Sequence, residues 1–143
     1  MTDAHAPGAN SAAAAPDCVF CTLPPARIAW SGPLVLAVWD AFPVSPGHAL
    51  VVPRRHVPEW DALTRDEKAA ILVGVDEARA LITARHAPDG FNIGSNDGAA
   101  AGQTVPHFHM HVIPRYAGDA PDPRGGVRWV LPAHARYWQA AEE

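Results

Sequence analysis

Three histidines alternate with bulky apolar residues in Pro106-His107-Phe108-His109-Met110-His111-Val112-Ile113-Pro114, and no other stretch restricts the fold and chemistry of the chain as tightly. Period-two alternation is the pattern of a half-buried β-strand, so Phe108, Met110 and Val112 are expected to face a core and the histidines the opposite side. Imidazoles two residues apart on a strand lie about 6.5–7 Å apart, whereas His107 and His111 would lie about 13 Å apart. One metal ion cannot easily take all three, so the row is expected to do two jobs, with His109 placed for either. A surface strand that happens to carry histidines, or a simple two-histidine metal site, is the plainer reading. Three imidazoles at alternate positions favour function over it.

The only two cysteines form Cys18-Val19-Phe20-Cys21. Cysteines three apart bracket a tetrahedral zinc well, and two further nitrogen ligands would close a structural site. His56 and His107 are the preferred partners, because giving the end of the histidine row to zinc leaves His109 and His111 for chemistry. A free, mobile thiol pair is the alternative.

Neutral imidazole is a good nucleophile and general base near pH 7, and it can carry a phosphoryl or nucleotidyl group transiently. His109, flanked on both sides, suits that role, since a neighbouring imidazole can hold its tautomer or stabilise charge on phosphate oxygens. Gln103 and Thr104 just before the row, and Asn96 further upstream, add neutral polar groups. A net charge of -4 and a pI near 6.0 argue against general nucleic-acid binding, which needs a strong positive field. Arg54, Arg55, Arg115, Arg124 and Arg128 still allow a small phosphorylated ligand. No apolar run reaches the length of a membrane span and no secretory signal opens the sequence, so a cytoplasmic protein without membrane partners is expected.

With 143 residues the chain is long enough for one core and one domain. Residues 1–16, rich in alanine and without apolar periodicity, read as a flexible extension ahead of a single domain over 17–143. Strands are expected at 28–30 and 34–39, joined as a hairpin through Ser31-Gly32-Pro33, then at 48–53, at 91–96 and along the histidine row. Thr64 and Glu67 form a capping box ahead of Ile71, Val75, Ala78 and Ile82, which predicts one amphipathic helix over 64–85, stopped by Pro88-Asp89-Gly90. The glycine-rich loop 97–102 lacks the lysine of a P-loop. Residues 117–143 are a Pro/Gly-rich tail with a short helix over 132–141. The result is an α+β domain with a mostly antiparallel sheet.

Ser45-Pro46-Gly47-His48-Ala49-Leu50-Val51-Val52-Pro53, followed by His56, and Gly102-Gln103-Thr104-Val105 leading into His107-x-His109-x-His111 resemble the histidine triad (HIT) nucleotide hydrolases and transferases. Val112-x-Pro114-Arg115 and Ala117-Gly118-Asp119 look like the fragile-histidine-triad dinucleoside polyphosphate hydrolases, whereas the cysteine pair is more typical of the bacterial, zinc-bearing branch. The tail from Asp122 to Trp129 looks like that of a bacterial subgroup. The resemblance implies a HIT-like, five-stranded antiparallel sheet with one long helix and a short C-terminal helix, paired into a homodimer.

It also implies that His109 attacks the α-phosphorus of a nucleoside phosphate to form a nucleotidyl-histidine that water cleaves. His48 and His111 match positions that orient the nucleophile and bind phosphate. Asn96, Gln103 and Thr104 match polar phosphate contacts, and Asp40 matches a ribose-contacting acid. The zinc ligands match Cys18, Cys21, His56 and His107; a divalent cation accompanying the substrate is compatible with the sequence but not called for by it.

The leading expectation is a hydrolase of adenosine-containing dinucleoside polyphosphates or nucleoside phosphoramidates. A phosphorylase that uses inorganic phosphate in place of water, and a non-catalytic zinc- and nucleotide-binding adaptor, are the alternatives. An intact middle histidine weighs against the adaptor.

Overall fold

The computed structural model describes residues 14–142. The expected flexible extension lies, for its first thirteen positions, outside the described residues. Five strands, β1 (Ile28–Ser31), β2 (Val35–Trp39), β3 (Ala49–Pro53), β4 (Gly90–Gly94) and β5 (Met110–Arg115), form one sheet in the order β1-β2-β3-β5-β4. Every neighbouring pair is antiparallel. A single long helix, α1 (Arg65–His86), crosses between β3 and β4.

The capping box forms as expected: the Thr64 hydroxyl accepts from the Glu67 amide, and the Glu67 carboxylate accepts from the Thr64 amide. Glu67 is buried and also takes a two-pronged bond from Arg55, which holds its carboxyl below the usual range. That pairing satisfies a charge that would otherwise be costly inside the protein. It also ties the start of α1 to the corner that carries His56.

Period-two alternation sorts the side chains of β2 and β3 between two apolar layers. Val35, Ala37, Ala49 and Val51 meet Ile71, Val75, Ala78 and Ile82 of α1, and Gly74 lets the helix approach so closely that a β-carbon there would sit 2.6 Å from Val51. Leu36, Val38, Leu50 and Val52 point the other way and are covered by Cys18 and Phe20. Phe108, Met110 and Val112 face the helix side, as the alternation predicts.

The histidine row is not one straight strand. β5 begins only at Met110; before it the chain bends, with the His107 amide bonded to the Val105 carbonyl and the Phe108 amide to the Val57 carbonyl. Phe108, almost wholly buried against Trp60, anchors that bend. The fourth strand is shifted to end at Gly94. The short C-terminal helix is realised as 3-10 turns, Pro132–His134 and Tyr137–Glu142, preceded by Gly126–Val130. Pro132 opens the second of these turns, and arginine–aromatic contacts brace the region.

Candidate active site and metal centre

The sheet face away from α1 is covered over β1–β3 by the segment that carries Cys18 and Cys21. The cysteines meet His56 and His107 there: Cys18 Sγ lies 3.4 Å and Cys21 Sγ 3.6 Å from His107 Nδ1, Cys21 Sγ 3.4 Å from His56 Nδ1, and the two Nδ1 atoms 3.2 Å apart. A tetrahedral zinc with Zn–S near 2.3 Å and Zn–N near 2.0–2.1 Å has edges of about 3.3–3.6 Å between its sulfur and nitrogen ligands. These four separations match such an ion, and all four ligand atoms lie within 4.8 Å of one another. The bend before β5 achieves this by turning His107 fully inward. The Nε2–H of His107 donates to the Pro53 carbonyl at 2.8 Å, leaving the Nδ1 lone pair aimed into the cluster, which is the outer bond that orients a ligating imidazole. Burial lowers the His107 pKa and keeps the ring neutral; burial also raises that of the Cys21 thiol.

The second histidine group lies in the groove beyond. The Val44 amide donates to His48 Nδ1 at 3.1 Å, so the proton of His48 sits on Nε2. That proton is donated to His111 Nδ1 at 2.9 Å, which in turn places the His111 proton on Nε2, facing the groove. Asp40 lies beside the same nitrogen, its Oδ2 3.4 Å from His48 Nε2 and farther than His111 Nδ1. His109 is set the opposite way. Its Nδ1 lies 2.8 Å from the His107 carbonyl, which can only accept, so Nδ1 carries the hydrogen and Nε2 keeps a free lone pair. The rings of His109 and His111 meet edge to face with centroids 5.2 Å apart, and Phe20 backs His109 at 5.1 Å. Burial, reinforced by His109 and His48, pushes the His111 pKa down to about 4, and burial lowers that of His48 despite Asp40. Among the described residues Asp40, His48 and His111 are also close enough to chelate a cation, but their hydrogen bond already uses the two nitrogens that face each other.

Of the expected polar contacts, Asn96 lines the cavity that opens beside His48 and His111. Gln103 and Thr104 are not brought to it. Gln103 accepts from the Gly98 amide and donates to the Pro58 and Val105 carbonyls, so its amide clamps the loop ahead of His107, and the neutral donor expected near phosphate is committed elsewhere. Thr104 is exposed beside Pro58 and Pro106. The sequence reading missed Val44, whose amide sets the His48 tautomer, and Val127 and Val130, which wall the cavity. Nothing in the sequence marks Val44; the three-residue spacing of the two tail valines was the available signal.

The sequence profile of the HIT domain matches residues 24–118, and the chain belongs to this family. It is 43% identical over 90 residues to an AP-4-A phosphorylase of Mycobacterium tuberculosis (62% of this chain, 46% of that protein). It is 36% identical over 95 residues to a bifunctional bis(5'-adenosyl)-triphosphatase/adenylylsulfatase of Arabidopsis thaliana (66% of this chain, 53% of that protein). The matched region thus spans about half the length of these two relatives. A zinc-bound histidine triad family protein from Mycobacterium smegmatis superposes with a TM-score of 0.65 at 32% identity, covering 87% of this chain and 97% of that one. No helix among the described residues is long and apolar enough to cross a membrane.

Proposed function

We propose that the protein is a nucleotide hydrolase that cleaves at the α-phosphate of adenosine-containing dinucleoside polyphosphates or nucleoside phosphoramidates, with His109 as nucleophile. The observation that carries this reading is the His109 Nδ1–H bond to the His107 carbonyl, because it leaves Nε2 unprotonated and facing the groove. His109 Nε2 adds to the α-phosphorus as the bond to the leaving group breaks. The electron pair departs with that group, to which the Nε2–H of neutral His111 donates a hydrogen bond while a solvent proton completes it. Water then adds to phosphorus, losing a proton to solvent, and the nucleoside monophosphate leaves as His109 is restored. His48 acts through His111 by fixing its tautomer, and Asp40 is the acid that contacts the ribose. The test is to trap the intermediate: with substrate labelled on the α-phosphate, acid-labile and base-stable label should attach to the chain and map to His109. Label on another residue would overturn the assignment.

A phosphorylase reading is favoured by the named mycobacterial relative, and product analysis with and without inorganic phosphate separates the two. Cys18, Cys21, His56 and His107 would hold a structural zinc; when bound, it would cross-link the amino-terminal segment to the chain ahead of β5 and take no part in the phosphorus chemistry. The four ligand separations and the zinc-bound neighbour support that site. A homodimer is also proposed, on the unpaired outer edge of β4 with Ile93 exposed on it and on the exposed Leu72 and Val73 of α1, since free strand edges and apolar surface both invite a second copy. Light scattering at micromolar concentration should report twice the chain mass, and a monomer would refute it.

A further inference from the structure

We infer that Phe20 is a positioning residue for the nucleophile: carried between the two cysteines of the metal centre, its ring holds the plane of the His109 imidazole, so that loading the metal site fixes the direction of His109 Nε2. The inference rests on the hydrolase reading above and deepens it.

The need arises at His109 itself. Its Nδ1–H bond to the His107 carbonyl fixes one atom of the ring. The second side-chain torsion of histidine is broad and roughly two-fold, so a bond at one atom leaves the ring plane to be set by packing. A half-turn about that torsion would exchange Nδ1 for a carbon and swing Nε2 out of line with the phosphorus. Two rings lie against His109: His111, with centroids 5.2 Å apart, and Phe20, at 5.1 Å and tilted by 43°. His111 is itself tied to His48. What fastens Phe20 therefore decides how firmly the second contact holds.

Phe20 sits on an arm that precedes β1 and lies outside the sheet. Among residues 14–27 of that arm, Cys18 and Phe20 are the two that are buried, so much of its hold on the molecule lies in this one turn. Local bonds shape the turn: the Cys21 amide donates to the Cys18 carbonyl, and the Thr22 hydroxyl donates to the same oxygen. Its two ends are the places where Cys18 and Cys21 meet His56 and His107. The Phe20 ring also lies 5.5 Å from the His107 ring, edge-on at 64°, and packs with Leu36, Val38, Leu50 and Val52 of the sheet.

One aromatic ring thus touches a metal ligand, the nucleophile and the sheet between them. With zinc bound, both ends of the Phe20 turn and the ring of His107 share one ion, and Phe20 cannot withdraw from His109 without loss of a metal bond. With the site empty, the turn is released from His56 and His107, and the His109 ring loses one of its two packing partners.

The test uses the full-length protein, with imidazole nitrogen NMR, metal analysis and steady-state kinetics. Zinc-loaded wild type should show His109 in the single Nδ1–H form. Phe20→Ala should keep about one equivalent of zinc per chain and show His109 exchanging between tautomers. It should lower kcat by about tenfold while KM moves by less than about twofold, as for a reacting group misplaced rather than removed. Phe20→Met, whose flexible side chain refills the space with a favourable sulfur–aromatic contact, should recover the single tautomer and most of kcat. Adding Phe20→Ala to Cys18→Ser/Cys21→Ser should cost little more than the cysteine changes alone, because both act through one contact. Stripping zinc from the wild type and restoring it should switch the tautomer exchange on and off without any substitution; melting curves check that the variants fold. A single tautomer in zinc-free wild type or in zinc-loaded Phe20→Ala, or a KM that rises at unchanged kcat, overturns the positioning role while covalent label on His109 keeps the hydrolase reading. Label on another residue overturns both.

Discussion

Two histidine-bearing clusters draw on one short stretch, His107 to His111, and they differ in what surrounds them. The Cys18, Cys21, His56 and His107 cluster is closed: its donors converge at ligand-to-ligand spacing, and the far nitrogen of His107 is bonded to Pro53. The His48, His109 and His111 cluster is open: both nitrogens of His48 are committed to neighbours, but His109 keeps a lone pair and His111 a proton on Nε2, and His111 borders a cavity. The first arrangement suits a structural ion and the second a reaction, because a closed tetrahedral site has no position left for substrate. The two share one residue. The His107 ring belongs to the closed cluster while its carbonyl sets the tautomer of His109, so the metal centre and the nucleophile are joined through a single backbone unit.

The largest effect expected from breaking this contrast comes at the open site. His109→Ala should lower turnover by about 10³-fold or more, because a nucleophile that forms a covalent intermediate has no substitute; steady-state kinetics measures this, and near wild-type turnover would remove His109 from the mechanism. His111→Ala should cost about 10²-fold, the scale for losing a hydrogen-bond donor to the leaving group while the nucleophile stays. A loss as great as that of His109→Ala would merge the two roles.

At the closed site, Cys18→Ser/Cys21→Ser should abolish about one equivalent of bound zinc per chain, read by metal analysis of protein purified without chelator. It should also lower the melting midpoint by on the order of 10 °C, while turnover persists in part. Unchanged zinc content and midpoint would mean free thiols.

The smallest expected effect is a pH slope. His111 is neutral when folded, with its pKa pushed down to about 4, whereas the unfolded chain takes up that proton near pH 6.5. The unfolded state therefore binds more protons between these values, so the stability attributable to this group is full above about pH 6.5 and declines as pH falls toward 4. Denaturant titrations across that window should show the slope in wild type and a shallower one in His111→Asn. Equal slopes would place the buried neutral imidazole elsewhere.

Much of the framework was legible because it depends on local rules. Thr64 and Glu67 announced the start of α1, Pro88 its end, and the alternating apolar residues of β2 and β3 both layers of the core. For Cys18 and Cys21, spacing left a zinc site and a free thiol pair both open, with His56 and His107 preferred as partners and then implied by the resemblance; the structure brings the four together. Gln103 shows where such reasoning stops: an amide near a histidine row is equally able to serve a ligand or its own backbone, and the loop geometry that took it is not written in its neighbours.

By itself, then, the sequence determined which residue types were present at which period, and hence the strands, the long helix and the two sets of imidazoles. Only the tertiary structure decided that His107 turns inward, because that bend depends on Phe108 finding its place under Trp60 and on the Phe108 amide finding the Val57 carbonyl. It likewise decided where the imidazole protons of His48, His107, His109 and His111 sit. Each tautomer is imposed by a partner distant in sequence or by a backbone group, Val44 and Pro53 among them, and a hydrogen bond between remote groups exists only once the fold has brought them within 3 Å or so of each other.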